Sequence, residues 1–95
     1  MRVLWLARAV RHLIQIKSHI ASDNPIAAEA VGLRLVEASE RLADFPTSGR
    51  LGRVTGTREL VVRHTPYIIV YRTKGEAVEI TAVLHGARRW PESFS

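Results

Sequence analysis

The chain has 95 residues, with 14 Lys or Arg against nine Asp or Glu, so its net charge is +5 when the histidines are neutral. Its length leaves room for one domain, residues 1–95, and its apolar fraction of 46% is that of a globular protein rather than a disordered one. The absence of cysteine excludes a disulfide framework, a thiolate metal site and a cysteine nucleophile. It also fits a reducing cytosol, so we expect a cytoplasmic protein.

The positive charge lies mostly in the second half of the chain. Residues 1–49 hold six basic and five acidic residues, whereas residues 50–95 hold eight and four, so the net charges are +1 and +4. A basic surface indicates an anionic partner, such as nucleic acid or an acidic protein segment, or else a surface that charge keeps in solution. No apolar run approaches the roughly 20 residues that span a bilayer, so we expect no membrane partner.

A short strand and an amphipathic helix are predicted at the N-terminus. The first apolar run predicts a strand over residues 2–6. From residue 7 to residue 21, apolar side chains recur at spacings of three and four, which predicts a helix. We expect Val10 and Ile14 to widen its buried stripe and His12 to lie on the opposite, solvated face.

A second helix is predicted to begin at Asn24-Pro25, because Asn is a favoured N-cap and Pro suits the first helical position. We expect it to end near Asp44 and to form a hairpin with the first helix. An apolar seam for this packing is formed by Val31, Leu35, Ala38, Leu42 and Phe45. Three apolar residues lie off the seam: Ile26, Leu33 and Val36. We favour a wide core stripe for these three over a second apolar facet that binds a partner.

The second half predicts a loop over residues 46–57 and then three strands, Arg58–His64, Tyr67–Arg72 and Ala77–His85. The middle strand is almost continuously apolar, which is typical of a strand buried on both faces. In the last strand, simple alternation predicts two faces: Val78, Ile80, Ala82 and Leu84 on one, and Glu79, Thr81, Val83 and His85 on the other. We therefore predict an α+β domain of order β-α-α-β-β-β, with an N-terminal helical hairpin packed on one face of a twisted, mainly antiparallel sheet.

The histidines do not form a recognisable catalytic or metal-binding set. His12 and His19 are two helical turns apart and cannot share a metal ion without a third ligand. His64 and His85 could each act as a general base, but no serine–histidine–acid arrangement accompanies them. We expect neither a metal nor another cofactor.

Arginine is the main chemical signal of the second half, at Arg50, Arg53, Arg58, Arg63, Arg72, Arg88 and Arg89. The planar guanidinium group binds phosphates and carboxylates in a fixed geometry, so several arginines on one sheet face could hold RNA or stabilise charge on a phosphate. The alternative is that about half of them form surface ion pairs of small energy with carboxylates such as Glu59 and Glu79.

Several short motifs follow one another over almost the whole chain. They are Asn24-Pro25, Phe45-Pro46, Gly49-Arg50 with Gly52, Thr57-Arg58-Glu59-Leu60, the run Pro66–Arg72, the run Val83–Arg88, and Trp90. In this order and spacing the chain resembles the RelE/ParE superfamily of bacterial toxins from type II toxin–antitoxin systems. The superfamily has a strand–helix–helix–sheet architecture, so the resemblance implies the same fold.

The resemblance also implies two different targets. RelE-like members cleave mRNA on the ribosome with arginines and a C-terminal tyrosine or a His–Tyr pair, whereas ParE-like members lack that set and poison DNA gyrase. Arg88 matches a RelE-type arginine. However, Ile68 stands where RelE-like nucleases have another arginine, and Phe94 stands near their tyrosine. Isoleucine cannot hold a phosphate and phenylalanine has no hydroxyl, so the resemblance favours a ParE-like toxin without catalytic residues.

Two alternatives stay open, a ribosome-dependent mRNA endonuclease and a binding module without toxicity. The endonuclease would use Arg63, Arg72, His85 and Arg88 for phosphate binding and proton transfer. Either toxin function implies a ParD-like antitoxin in a hetero-oligomer, with DNA gyrase or the ribosome and its mRNA as the target. We expect the antitoxin to contact Arg8, Arg11, Leu33, Val36, Arg58 and Arg72.

Overall fold

The order of helices and strands follows the prediction, with one short strand added. The computed structural model describes residues 1–87 and residue 90. The elements are β1 (Arg2–Trp5), α1 (Ala7–Ala21), α2 (Pro25–Arg41), β2 (Arg50–Leu51), β3 (Arg58–Val61), β4 (Tyr67–Lys74) and β5 (Ala77–His85). Strand β2 was not predicted, because its two residues lie in a segment rich in Gly, Ser and Thr that carries no strand pattern.

The strands of the described chain form one five-stranded mixed sheet in the order β1-β5-β4-β3-β2. Strand β1 runs parallel to β5 and every other neighbouring pair is antiparallel, so the mainly antiparallel sheet is confirmed. Strand β4 lies in the middle, and its first five residues are buried, as expected from its apolar run. Strand β3 ends at Val61 rather than His64, because His64 adopts a left-handed backbone conformation (φ 65°) in the turn to β4.

Within residues 1–87, both helices pack on one face of the sheet, which confirms the predicted layers. The core is formed by small or aliphatic residues of the helices and by alternate residues of the strands. Its buried members are Ala9, Leu35, Ala38, Leu42, Val62, Tyr67, Ile69, Tyr71, Val78, Ile80 and Val83. Neither helix of this described part has the length and hydropathy that crossing a membrane requires.

Helix α2 begins where the sequence predicts and ends earlier. The Asn24 side chain accepts a hydrogen bond from the Ala27 amide over 3.0 Å, and Pro25 occupies the first helical position. The helix ends at Arg41 and continues as tight turns, in which the amides of Leu42 and Ala43 bond to carbonyls three residues back. These turns carry Phe45 off the seam, so its predicted burial is wrong.

Several helical residues predicted to be buried are exposed. Ile14 and Leu33 are 61% and 59% exposed, and Val10 and Ile26 are exposed as well. The wide core stripes predicted for both helices are therefore wrong. The reason is geometric, since a helix packed on a sheet at one side and on another helix at a second side still leaves an outer face in solvent.

Candidate functional site

A β-bulge in β5 changes which residues face the helices. The pairing of β5 with β4 skips Thr81, so β5 contains one extra residue at that point. Val83 consequently packs in the same core cluster as Val78 and Ile80. His85, two residues further on, points to the same side. The alternation that separated Val83 and His85 from Val78 and Ile80 is therefore wrong, because one inserted residue reverses every later position.

Strand β5 contacts α1 beyond the end of its pairing with β1. The backbone amide of Val83 donates a hydrogen bond of 3.1 Å to Nδ1 of His12. His12 is thus half-buried against the sheet, so its predicted position on the solvated face is wrong. Burial lowers the pKa of His12 below its ordinary value of 6.5, and the charges of Arg8 and Arg11 lower it further. Because Nδ1 accepts a hydrogen bond, the ring is neutral and carries its proton on Nε2.

A cleft of about 370 Å³ opens between α1 and the ends of β4 and β5. We call it the histidine cleft; its polar and aromatic lining consists of His12, Gln15, His19, Tyr67, His85 and Trp90. The rings of Tyr67 and His85 meet edge to face, with centroids 5.7 Å apart and planes at 84°. Nδ1 of His85 accepts a hydrogen bond of 3.1 Å from the Ala87 amide. Two imidazoles are therefore held in fixed orientations at this end of the sheet.

The histidine cleft does not assemble the ligands of a metal ion. Among residues 1–87 and Trp90, no three His, Cys, Asp or Glu side chains lie close enough together to hold a metal. The three imidazoles of the cleft instead combine with an amide and two aromatic rings. Such a lining offers hydrogen-bond donors and flat apolar surfaces to a bound group.

A second cluster is built around a buried carboxylate on β3. Glu59 is only 2% exposed. One of its oxygens accepts hydrogen bonds from Nε and Nη2 of Arg50 (3.2 and 3.0 Å), and the other accepts one from the backbone amide of Arg53 (2.7 Å). The guanidinium carbon of Arg53 lies 3.7 Å from the ring centroid of Trp90, a cation–π contact. The expected pairing of Glu59 with arginine is confirmed, but its surface position is wrong because the loop after β2 folds back over it.

The other basic residues of the sheet differ in whether they form hydrogen bonds within the chain. Arg58 donates to the carbonyls of Thr47 (3.4 Å) and Gly49 (2.8 Å). Arg72 donates to Glu79 over 2.8 Å, which confirms that predicted ion pair. Arg63 is exposed in the turn before β4 and has no side-chain partner among the described residues.

The described residues among those suggested for an endonuclease, Arg63, Arg72 and His85, do not gather at one point. His85 pairs with Tyr67 at the start of β4, and Arg72 lies five positions further along the same strand. At about 3.3 Å per residue this separates Arg72 from His85 by roughly 16 Å, and an odd spacing puts them on opposite faces. Arg63 lies in the turn at the His85 end of the sheet. His85 and Arg63 therefore lie near the start of β4, and Arg72 lies apart from them towards the other end of that strand.

The positions that distinguish RelE-like nucleases from ParE-like toxins are only partly covered by the described residues. Arg88 and Phe94, like Arg89, lie outside the described residues. Ile68 is 5% exposed and is a packed apolar residue of β4. Its δ-methyl group lies near Gly86, where an added Cβ would come within 3.3 Å of it. Ile68 thus contributes packing at the position where an arginine would contribute charge.

The apolar residues expected to bind an antitoxin share the outer side of the helical hairpin. Lys17 and Glu29 form an ion pair of 3.2 Å that joins α1 to α2. Ile14 precedes Lys17 by one turn and Leu33 follows Glu29 by one turn, so both lie along the same line. We call this surface the hairpin patch; it consists of Val10, Ile14, Leu33 and Val36. Leu33 and Val36 belong to the second apolar facet that the sequence left as an alternative, and Ile26, the third residue of that facet, is exposed as well.

The basic residues expected at the same interface are spread over other surfaces. Arg8 is half-buried and Arg11 is exposed, and both are close enough to His12 to lower its pKa. Arg58 and Arg72 are half-buried and already hold partners within the chain. The antitoxin-binding roles of all these residues stay predictions.

The histidine cleft was not predicted, because simple alternation describes β5 as a regular strand without a bulge. A signal was present: Ala82-Val83-Leu84 is a run of three apolar residues that breaks the alternation. Such a break after Thr81 is what a bulge produces when both flanking segments must bury apolar side chains. The approach of α1 to β5, in contrast, has no local signal.

Known proteins are similar to this chain over nearly its full length. The family described as ParE toxin of type II toxin-antitoxin system, parDE, matches residues 3–90. The protein Y4kP of Sinorhizobium fredii is 45% identical over 91 residues, which cover 96% of this chain and 94% of that protein. Toxin RelE2 of Caulobacter vibrioides is 40% identical over 87 residues, which cover 92% of this chain and 97% of that toxin.

A solved structure agrees with the same assignment. A chain described as belonging to the chromosomal ParDE TA system from P. aeruginosa superposes with a TM-score of 0.79 at 26% identity, over 87% of this chain and 92% of its own length. The expected superfamily and the α+β fold are thereby confirmed. Because the family model matches residues 3–90 and Y4kP is 45% identical over 96% of the chain, this chain belongs to the ParE toxin family of type II toxin–antitoxin systems.

Proposed function

We propose that this toxin arrests growth by binding DNA gyrase, without a catalytic step of its own. The observation that supports it best is the separation of Arg72 from His85 on opposite faces of the sheet. Acid–base cleavage of a phosphodiester needs a proton-transfer group and a charge-stabilising cation within about 3 Å of the same reacting group. Two residues whose backbone positions lie roughly 16 Å apart on opposite faces of a sheet are poorly placed to serve one phosphate together.

The burial of Ile68 supports the same proposal. This side chain is packed at the β4 position where RelE-like nucleases carry an arginine. An arginine there would have to remain charged in an apolar environment, which is unfavourable unless a partner or a ligand compensates it. A binding surface, in contrast, does not need a cation at that point.

We also propose that a ParD-like antitoxin neutralises the toxin by covering the hairpin patch. Ile14 and Leu33 are large apolar side chains that the fold leaves in solvent. A contiguous apolar surface on paired helices is typical of a protein interface. The solved relative from P. aeruginosa comes from a ParDE system, which supports a partner of this kind.

The gyrase proposal is tested by supercoiling of relaxed plasmid with purified gyrase and increasing amounts of this toxin. We expect loss of supercoiling and accumulation of cleaved DNA, both reversed by the cognate antitoxin. A heat-unfolded sample of the toxin is the control for nonspecific effects of a basic chain. Full supercoiling activity without trapped cleavage at excess toxin would exclude gyrase as the target.

A second candidate function is ribosome-dependent cleavage of mRNA. Two observations favour it: Arg63 lies at the same end of the sheet as His85, and one close relative carries the name RelE2. Toeprinting on translating ribosomes tests it, with new cleavage inside the ribosome-bound codon as the expected signal. Full toxicity of an Arg88→Ala variant would contradict it. If induction of the chain stops neither DNA nor protein synthesis, both toxin functions fail and a binding module remains.

A further inference from the structure

The two ordered imidazoles that line the histidine cleft carry the same kind of hydrogen-bond donor. Nδ1 of His12 accepts the Val83 amide, and Nδ1 of His85 accepts the Ala87 amide, both over 3.1 Å. Each neutral ring therefore carries its proton on Nε2, which becomes a hydrogen-bond donor. Neither Nε2 has a partner among the described residues. The cleft thus has two donors whose orientation is set by backbone hydrogen bonds.

The charges around these donors favour an anion. The residues described as lining the cleft include no Asp or Glu. Arg8 and Arg11 lie on α1 close enough to His12 to act on it electrostatically. Hydrogen bonds from oriented donors to an anionic oxygen are stronger than those to a neutral group, and nearby positive charge adds to them. The complementary ligand is therefore an oxyanion.

The size and the walls of the cleft indicate what carries that anion. Its volume of about 370 Å³ is far larger than a phosphate ion needs and falls in the range of small-molecule sites. Tyr67 and Trp90 supply aromatic surface, and Ile16 and Leu84 supply aliphatic surface. Aromatic side chains stack on nucleobases, each such contact contributing appreciably to affinity. A flat aromatic body attached to the anion would use both parts of the lining.

We propose that the histidine cleft binds a nucleoside phosphate, with the Nε2–H groups of His12 and His85 on the phosphate and the aromatic wall against the base. The ligand is either a free nucleotide or an unstacked nucleotide within a strand, since both have the same chemistry. The proposal does not depend on gyrase being the target. A toxin that poisons gyrase and one that does not can both have this site.

Isothermal titration with adenosine 5′-monophosphate tests the proposal on the intact chain. Inorganic phosphate and adenosine are the two partial ligands, and we expect each to bind at least about tenfold more weakly than the nucleotide. A single-stranded trinucleotide distinguishes the sources: tighter binding than the mononucleotide indicates a strand, and equal binding indicates a free nucleotide. Affinity for phosphate or adenosine equal to that for the nucleotide would overturn the proposal.

The variants His12→Asn and His85→Asn remove the Nε2–H donors selectively. The Asn oxygen can still accept the Val83 or Ala87 amide, so the local fold is retained. We expect each change to weaken nucleotide binding roughly tenfold. The matched control is His64→Asn, because His64 is exposed, lies outside the cleft and has a left-handed backbone that Asn tolerates. Equal affinity in all three variants would contradict the proposal.

A measurement on the unmodified chain covers the case in which a variant fails to fold. In NMR spectra, the ring Cε1–H resonances of His12 and His85 should shift when the nucleotide is added, while that of His64 should not. If an acidic peptide shifts the two resonances and the nucleotide does not, the cleft is a protein-docking site and the proposal fails. Gyrase inhibition retained in His12→Asn would separate the cleft from the gyrase-binding surface.

Discussion

Val83 on β5 donates its backbone amide to Nδ1 of His12 on α1, a contact between residues 71 positions apart in the chain. The bond requires His12 to be neutral, because a protonated Nδ1 cannot accept. Burial and the two neighbouring arginines lower the pKa of His12, which agrees with this requirement. One hydrogen bond therefore joins the helical layer to the bulged strand and links the stability of the fold to pH.

The first prediction concerns that pH dependence. In the unfolded chain His12 titrates near 6.5, and in the folded chain its pKa is lower. The unfolded state therefore binds the proton more readily as the pH falls. The contribution of His12 to stability is present in full above about pH 6.5, declines below it, and is lost once the pH has fallen through the folded pKa. We expect the melting temperature of the protein to fall between pH 7.5 and pH 5 by a few degrees more than that of His12→Asn.

Circular-dichroism melts at several pH values check this difference. The comparison with His12→Asn removes the effects of the other histidines, which titrate in both proteins. His64→Asn serves as the control and should follow the unmodified chain. Identical pH slopes for the unmodified chain and His12→Asn would show that His12 does not contribute.

The second prediction concerns the hydroxyl of Tyr71, which is fully buried. It donates to the Pro46 carbonyl over 2.8 Å and accepts the Gly49 amide over 2.9 Å. Tyr71→Phe leaves both backbone groups without a partner, so we expect the free energy of unfolding to fall by about 1–3 kcal/mol. Urea unfolding measures it. Tyr67→Phe is the control, because the Tyr67 hydroxyl has no partner in the described chain, and it should change stability by less than about 0.5 kcal/mol.

The third prediction concerns Glu59. In Glu59→Gln the buried carboxylate that holds Arg50 and the Arg53 amide becomes a neutral amide. Gln supplies one acceptor oxygen instead of two, so at least one buried hydrogen bond is lost. We expect a loss of about 1–3 kcal/mol in the free energy of unfolding, together with a change in the fluorescence of Trp90, which contacts Arg53.

Chemical denaturation followed by tryptophan emission measures both effects of the Glu59 change. The matched control is Glu76→Gln, because Glu76 is exposed in the turn between β4 and β5 and its side chain has no partner among the described residues. It should leave stability and emission almost unchanged. An equally small effect of Glu59→Gln would mean that the buried cluster contributes no net stability.

The fourth prediction concerns the hairpin patch. Leu33→Asp introduces a charge on a residue that is 59% exposed, so the free chain should keep its stability. If the antitoxin buries this surface, the carboxylate must be desolvated there, and we expect the affinity to fall at least about tenfold. Biolayer interferometry with the cognate antitoxin measures it. Phe45→Asp is the control, since Phe45 is 64% exposed and lies outside the patch; equal losses in the two variants would contradict a specific interface.

Features that depend on neighbouring residues in the chain were predictable, and features that depend on distant contacts were not. The start of α2 was predictable because Asn24 and Pro25 act within one helical turn. The buried course of β4 was predictable because a continuous apolar run is needed wherever both faces of a strand are covered. The orientation of His85 was not predictable, because it depends on an extra residue at Thr81 whose effect is felt only through pairing with β4.

Solvent exposure was likewise predictable only as far as it depends on local periodicity. Periodicity identifies which residues share a helix face, but it does not say how much of that face a neighbouring element covers. Ile14 belongs to the predicted stripe of α1 and Leu33 to that of α2, and yet both residues lie in solvent. Glu59 is predicted to lie at the surface because a carboxylate in a strand usually does, and its burial depends on the loop after β2, whose Arg53 amide bonds to it.

The amino-acid sequence by itself determined the order of the two helices and the four longer strands and the α+β class, because these follow from apolar periodicity, caps and turn residues along the chain. The superfamily followed from the resemblance that the motifs carry. Only the tertiary structure decided that Arg72 and His85 lie on opposite faces and that His12 and His85 share a cleft. Strand register and the approach of α1 to β5 set both outcomes. A single inserted residue in a strand reverses all later side chains, and no local pattern encodes which helix will meet them.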